Sequence, residues 1–166
     1  MKKNFLTLVL AIALLAAGCA KEKIPEPQTQ PVTEVVTEAT TEATVPSELE
    51  LYLESIVAQS ESIKYRLENE DMSQADMNIA SQELYDLWDD ALNHLWGLLK
   101  TRLPEEEFSP LLEEQRQWIA HKEEAVAAAG KEVEGGSIYP LVIYGEGAKW
   151  TEERTYQLYD LLLTLA

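Results

Sequence analysis

Two histidines stand at helical spacing from carboxylates: Asp90 lies four residues before His94, and Glu124 three residues after His121. Side chains three or four apart share one face of a helix. Such a pair can move a proton or contribute to a metal shell. Neither pair has the company this chemistry needs. There is no H-E-x-x-H, no G-x-S-x-G, no second histidine beside either one and no glycine-rich phosphate loop. The single cysteine, Cys19, excludes an internal disulfide and a cysteine-based zinc site. The expectation is a protein with no catalytic residue, no metal and no cofactor. Asp89, Asn93, Gln115, Arg116 and Arg154 form a further polar set, with Asp89 and Asn93 one helical turn apart. It is read as a structural network fixing helix register in preference to a ligand site.

Charge narrows the partners. Thirty acidic residues face 13 basic ones, a net charge of -17. A phosphate backbone would be repelled, so nucleic acid is excluded as a ligand. A basic protein would instead be attracted.

The elements that hold these residues begin with an export segment. Met1-Lys2-Lys3 is positive, and Phe5 to Ala17 is an apolar run too short for a spanning helix but suited to a signal-peptide core. Leu15-Ala16-Ala17-Gly18-Cys19 then resembles the lipobox of bacterial lipoproteins, in which the cysteine takes the lipid. Residues 1–18 are thus expected to be removed, and acylated Cys19 to hold the chain at the extracytoplasmic face of a membrane. Residues 20–46 carry Pro25, Pro27, Pro31 and Pro46 among Thr and Glu, with no aromatic residue. With lipidated Cys19 they form residues 19–46, read as a disordered tether reaching roughly 30 Å.

The domain, residues 47–166, reads as four helices around one core. Ser47 and Glu50 have capping-box spacing, and Leu49, Leu53, Ile56, Val57, Ile63 and Leu67 continue a stripe, which gives a first helix from Ser47 to Glu68. Ser73 and Asp76 cap a second, with apolar residues from Met77 to Leu99 and a stop at Pro104. Ser109-Pro110 opens a third, ending at Gly130. Gly135 to Gly147 reads as a long connection, too rich in Gly and in β-branched and aromatic residues for a helix, and Thr151 opens the last helix. The fold class is therefore all-α: an antiparallel four-helix bundle with a long Gly-rich loop between helices three and four.

Several motifs, in order, resemble the LprI-type lysozyme-inhibitor domain of bacterial envelope lipoproteins. They are Asp89-Asp90-Ala91-Leu92-Asn93 with Trp96, Gln115-Arg116-Gln117-Trp118-Ile119, Gly135-Gly136-Ser137-Ile138-Tyr139-Pro140 and Thr151-Glu152-Glu153-Arg154-Thr155. The resemblance runs from Ala75 to Leu162 and leaves the first helix outside. It implies a small helical domain outside the cytoplasm, with lysozyme as partner for some members. Where the family often has cysteines this chain has Ala80 and Val126, and it has none in the loop after Gly-Gly. Trp96 stands where the family usually has Tyr, and His121-Lys122 where it usually has Tyr-Arg.

The loop residues Gly135, Gly136, Ser137, Tyr139 and Tyr144, with His121 and Lys122, are the candidate partner-binding set. Glycines allow backbone shapes closed to other residues, and the tyrosines supply polar-tipped anchors. Trp88, Trp96 and Trp118 are expected in the core, and Trp150 as a lid or staple ahead of the last helix. The function expected is blockade of a basic muramidase by a lipid-anchored domain, whose Gly135 to Tyr144 loop and acidic helix faces occupy the enzyme's cleft. The alternative is a non-catalytic envelope scaffold bound to another membrane protein.

Overall fold

The computed structural model describes residues 47–165, all helix and connecting turn. The expected signal peptide, the lipobox-like stretch ending at Cys19 and the Thr/Glu/Pro segment fall outside the described residues. The helices are α1 (Glu48–Asn69), α2 (Gln74–Arg102), α3 (Glu105–Lys131) and α4 (Tyr139–Leu163).

Local chemistry sets the first two boundaries. The Ser47 hydroxyl accepts from the Glu50 N–H, while the Glu50 carboxylate accepts from the Ser47 N–H, so two otherwise orphaned donors are satisfied. Ser73 accepts from the Asp76 N–H in the same way at α2.

Two boundaries differ from the sequence reading. α3 starts at Glu105, so Ser109 and Pro110 lie inside it, and the Ser109 hydroxyl donates to the Glu105 carboxylate at 3.2 Å instead of capping. Glu105, Glu106 and Glu107 occupy the first turn, where the positive end of the helix dipole favours them. Phe108 then packs on Trp96, ring centroids 5.1 Å apart, which holds this early turn against α2. The long loop is also corrected: only residues 132–138 connect α3 to α4. Tyr139 to Trp150 are helical, Pro140 sits in the first turn where its missing N–H is harmless, and Thr151 is mid-helix. The physical reason is tertiary: the small residues of this stretch let α4 approach α2 closely.

That approach organises the core. α2 and α4 form the most extensive helix pair, α1 packs on α2 and α3 packs on α4. Residue numbers descend along α1 as they ascend along α2, with Arg66 meeting Glu83, Ser60 meeting Trp88 and Tyr52 meeting His94. The same holds for α3 against α4, where Gly130 meets Ile143 and Gln115 meets Arg154. α2 and α4 ascend together: Asn78 bonds the Ser137 carbonyl, Ser81 the Leu141 carbonyl and Thr155 the Trp88 carbonyl. Leu53, Ile56, Leu84, Trp88, Ala91 and Ala148 make one half of the core, and Leu92, Leu95, Leu99, Leu158 and Leu162 the other. Each large apolar side chain buried this way contributes about 1.5–3 kcal/mol. Thr151 and Thr155 are fully buried among them, their hydroxyls satisfied by the carbonyls of Gly147 and Thr151. None of the described helices is long and apolar enough to cross a membrane.

Candidate functional site

The backbones of α2 and α3 stay largely apart, although both border α4. Side chains fill the interval only in part, and a cleft remains. Its α2 wall is Tyr85, Asp89, Leu92, Asn93 and Trp96; its α3 wall is Gln115, Trp118, Ile119, Lys122 and Val126. Each wall is one helical stripe, with residues three or four apart.

Two cavities occupy the cleft and share Lys122 as a lining residue. The larger, about 380 Å³, is closed by α4 residues Tyr139, Ile143, Tyr144 and Gly147. The smaller, about 240 Å³, lies beside Asp89, Asn93, Gln115 and Trp118. The Lys122 ammonium donates to the Tyr85 hydroxyl at 3.1 Å and stands 5.1 Å from the Trp118 ring centroid and 5.3 Å from that of Tyr85. A cation near aromatic rings is attracted by their quadrupoles. Tyr85 and Tyr144 face each other with centroids 6.0 Å apart.

The partner-binding candidates separate. Tyr139, Tyr144 and Lys122 line the larger cavity, whereas Gly135, Gly136 and Ser137 occupy the exposed turn between α3 and α4 and His121 is exposed. Tyr139 is half-buried because it packs on Gly130, whose position leaves no room for a side chain: an added Cβ would lie 2.8 Å from Tyr139 Cε2 and from Ile143 Cγ2. Gly135 takes a φ of 74°, which accounts for glycine at that point of the turn.

The polar set also separates. Arg154, 4% exposed, donates from Nε to Gln115 Oε1 at 2.9 Å and from Nη1 to Glu114 at 2.7 Å and Gln157 at 2.9 Å. Asn93 donates to Asp89 along α2 at 3.0 Å. Arg116 is exposed and, among the described residues, pairs only with its own-helix neighbour Glu113 at 3.6 Å. Gln115 joins the two groups spatially, since it holds Arg154 and lines the smaller cavity with Asp89 and Asn93.

Of the tryptophans, Trp88 is fully buried, while Trp96 and Trp118 are half-buried on the cleft walls. Trp150 is neither lid nor staple but a mid-helix residue whose indole donates to Glu146 at 2.8 Å. His94 stacks beside Tyr52 at 4.5 Å, and no cluster of metal-ligating side chains is present among the described residues. Tyr85 is the cleft residue that sequence reasoning passed over; its signal was its place one turn before Asp89 on the stripe that continues to Asn93 and Trp96.

The arrangement offers a partner aromatic edges, amide groups and one cation, with no activated nucleophile or paired acid and base. Comparison with known proteins agrees with this binding character. Residues 67–158, more than half of the chain, match the family described as Lysozyme inhibitor LprI. The chain is also 28% identical over 104 residues, 55% of this chain and 75% of the relative, to an uncharacterized protein of Rhizobium meliloti (strain 1021). No solved structure matches it significantly. The matched span takes in the end of α1, all of α2 and α3 and most of α4, and so includes both walls and the floor of the cleft. The chain belongs to the LprI lysozyme-inhibitor family.

Proposed function

We propose that this protein is a lipid-anchored, extracytoplasmic inhibitor that binds a lysozyme-type muramidase and blocks its cleft sterically and electrostatically. The family match over residues 67–158 carries the reading. Charge supports it: a domain (residues 47–166) with 25 acidic and 9 basic residues attracts a basic enzyme and speeds encounter, most strongly at low salt. The inhibitor uses no chemistry of its own. The contact surface in this reading is the end of the bundle bearing the Gly135-Gly136-Ser137 turn, with Tyr139, Tyr144, Lys122 and His121 beside it. Because that turn is short, contact comes from the bundle end and its acidic faces rather than from an inserted long loop. Acylation of Cys19 keeps the domain at the membrane surface, and the segment up to Pro46 gives it reach.

The test is lysis of peptidoglycan by a basic lysozyme in the presence of the full chain carrying Cys19→Ser. Inhibition that weakens as salt rises, and weakens further with Ser137→Lys in the turn, is the expected result. Unchanged lysis at a large molar excess rejects inhibition of that enzyme. Recovery of a specific non-lysozyme membrane protein from envelopes would then favour the scaffold reading.

A further inference from the structure

The larger cavity has a composition that blockade of an enzyme does not require. Its walls are mainly apolar, from Val126, Ala127 and Ile143, with the rings of Tyr85, Tyr139 and Tyr144. At about 380 Å³ it lies within the range of small-molecule pockets. One cation lines it. Lys122 has no carboxylate oxygen within ion-pair distance among the described residues, although the chain carries acids in large excess. Its partners are the Tyr85 hydroxyl at 3.1 Å and the Trp118 ring, 5.1 Å away at the centroid. Glu123 stands on the exposed side of the same cavity.

We infer that this cavity binds a small aromatic carboxylate, with the ring among Tyr85, Tyr139 and Tyr144 and the carboxylate on Lys122 Nζ. The mainly apolar walls favour a flat body without many hydroxyls, since a sugar would bury more hydroxyls than the few polar tips there can satisfy. Tilted aromatic packing of the kind already present between Tyr85 and Tyr144 extends naturally to a third ring. The charge count sets the ligand's charge. A single ammonium meets one carboxylate in a charge-assisted hydrogen bond, while Glu123 and the surrounding acids repel a polyanion such as a nucleotide. Lys122 is well suited to release its present contact, because a neutral phenol is a weaker partner for an ammonium than a carboxylate is. The cavity shares Tyr139, Tyr144 and Lys122 with the proposed lysozyme contact surface, but its ligand binding is measured without the enzyme, so the two readings fail separately.

The experiment titrates the full chain with indole-3-acetate, 4-hydroxyphenylacetate, the neutral amide of the latter and N-acetylmuramate, followed by calorimetry and by chemical shifts of the tyrosine ring and Lys122 side-chain protons. The aryl carboxylates are expected to bind at least about tenfold more tightly than the amide, the ratio a charge-assisted contact supports. Lys122→Met should remove that preference and Lys122→Arg should retain it. Ala127→Trp, placed on an exposed position of α3, should fill the cavity and abolish binding while leaving the helical circular dichroism and melting temperature near those of the parent. No saturable binding up to about 10 mM, equal affinity for acid and amide, or tighter binding of N-acetylmuramate than of the aryl acids would each overturn the assignment. So would binding that survives Ala127→Trp in a folded variant.

Discussion

The Trp88 indole N–H donates to the Ser60 hydroxyl at 3.1 Å, and both side chains are essentially inaccessible to solvent. This bond ties α1 to the centre of a domain whose family match begins only at residue 67. Leu53 and Ile56 of α1 pack around the same tryptophan. α1 is therefore part of the core, not an appendage to it. Ser60→Ala should leave a buried N–H unpaired and destabilise the domain by about 1–3 kcal/mol. Adding Trp88→Phe should cost less than the sum of the two single changes, because the orphaned donor goes with the indole. Urea unfolding of the four variants measures this coupling, and strict additivity would contradict it.

Arg154 supplies a second prediction. Its guanidinium is buried, three of its contacts are to Gln115, Glu114 and Gln157, and Nη2 has no protein partner. Gln115→Leu should remove the acceptor for Nε and cost about 2 kcal/mol or more, since a buried charged donor is left unmet. Gln115→Leu combined with Arg154→Met should recover part of that loss, because an apolar pair of similar volume carries no desolvation penalty. Denaturant midpoints decide the matter: a double variant less stable than Gln115→Leu alone would show that the guanidinium stabilises the fold even without its amide partner.

How much of this was legible in the sequence depends on whether local chemistry or packing decides each element. α1 and α2 announce themselves through Ser47 with Glu50 and Ser73 with Asp76, followed by uninterrupted apolar stripes. The first half of α4 does not. Pro140, Val142, Ile143, Gly145 and Gly147 are poor helix formers taken singly. Packing decides instead, most clearly at Gly147, where a Cβ would lie 3.0 Å from the Tyr85 ring of α2. Ser109-Pro110 misleads for the complementary reason, because three glutamates and the Phe108–Trp96 contact start α3 one turn earlier. The same shift broke up the candidate site. Tyr139, Tyr144 and Lys122 were identifiable as recognition residues, but a helical α4 places the two tyrosines in a cleft with Lys122 while Gly135, Gly136 and Ser137 remain on the turn.

The glycines give a paired prediction with opposite signs. Gly97 is exposed in α2 and a Cβ there meets nothing within 4 Å, so Gly97→Ala should stabilise the domain by about 0.5–1 kcal/mol through helix propensity. Gly130 is also helical, yet its Cβ would clash with Tyr139 and Ile143 at 2.8 Å, so Gly130→Ala should destabilise by about 1–3 kcal/mol despite the same propensity gain. Thermal melts of the two variants should move in opposite directions. A rise for Gly130→Ala would mean that the first turn of α4 can withdraw from α3 without loss.

Stability should also fall at both extremes of pH, for reasons assignable to single contacts. Hydrogen bonds from the Ser47 backbone N–H and then the Ser47 hydroxyl hold the Glu50 carboxyl below its ordinary value of 4.5. A depressed acid stabilises above its unfolded value, and that contribution disappears as pH falls through the lowered one. Glu50→Gln should therefore flatten the acid limb of a stability profile, and Ser47→Ala should flatten it only in part, because the backbone N–H stays. At the alkaline end, partial burial pulls the Lys64 ammonium down but the Glu152 and Glu61 carboxylates outweigh it, so it is held above 10.5. A raised base stabilises fully below its unfolded value and loses that contribution as pH climbs through the folded one. Tyr156 next to it is raised above 10.0, first by burial and then by Glu152, so the unfolded chain ionises there sooner and stability falls over the same range. Lys64→Met with Tyr156→Phe should make the alkaline limb shallower without altering the acid one. Chemical denaturation at a series of pH values separates the two limbs, and an alkaline slope unchanged by the double variant would place the titrating groups elsewhere.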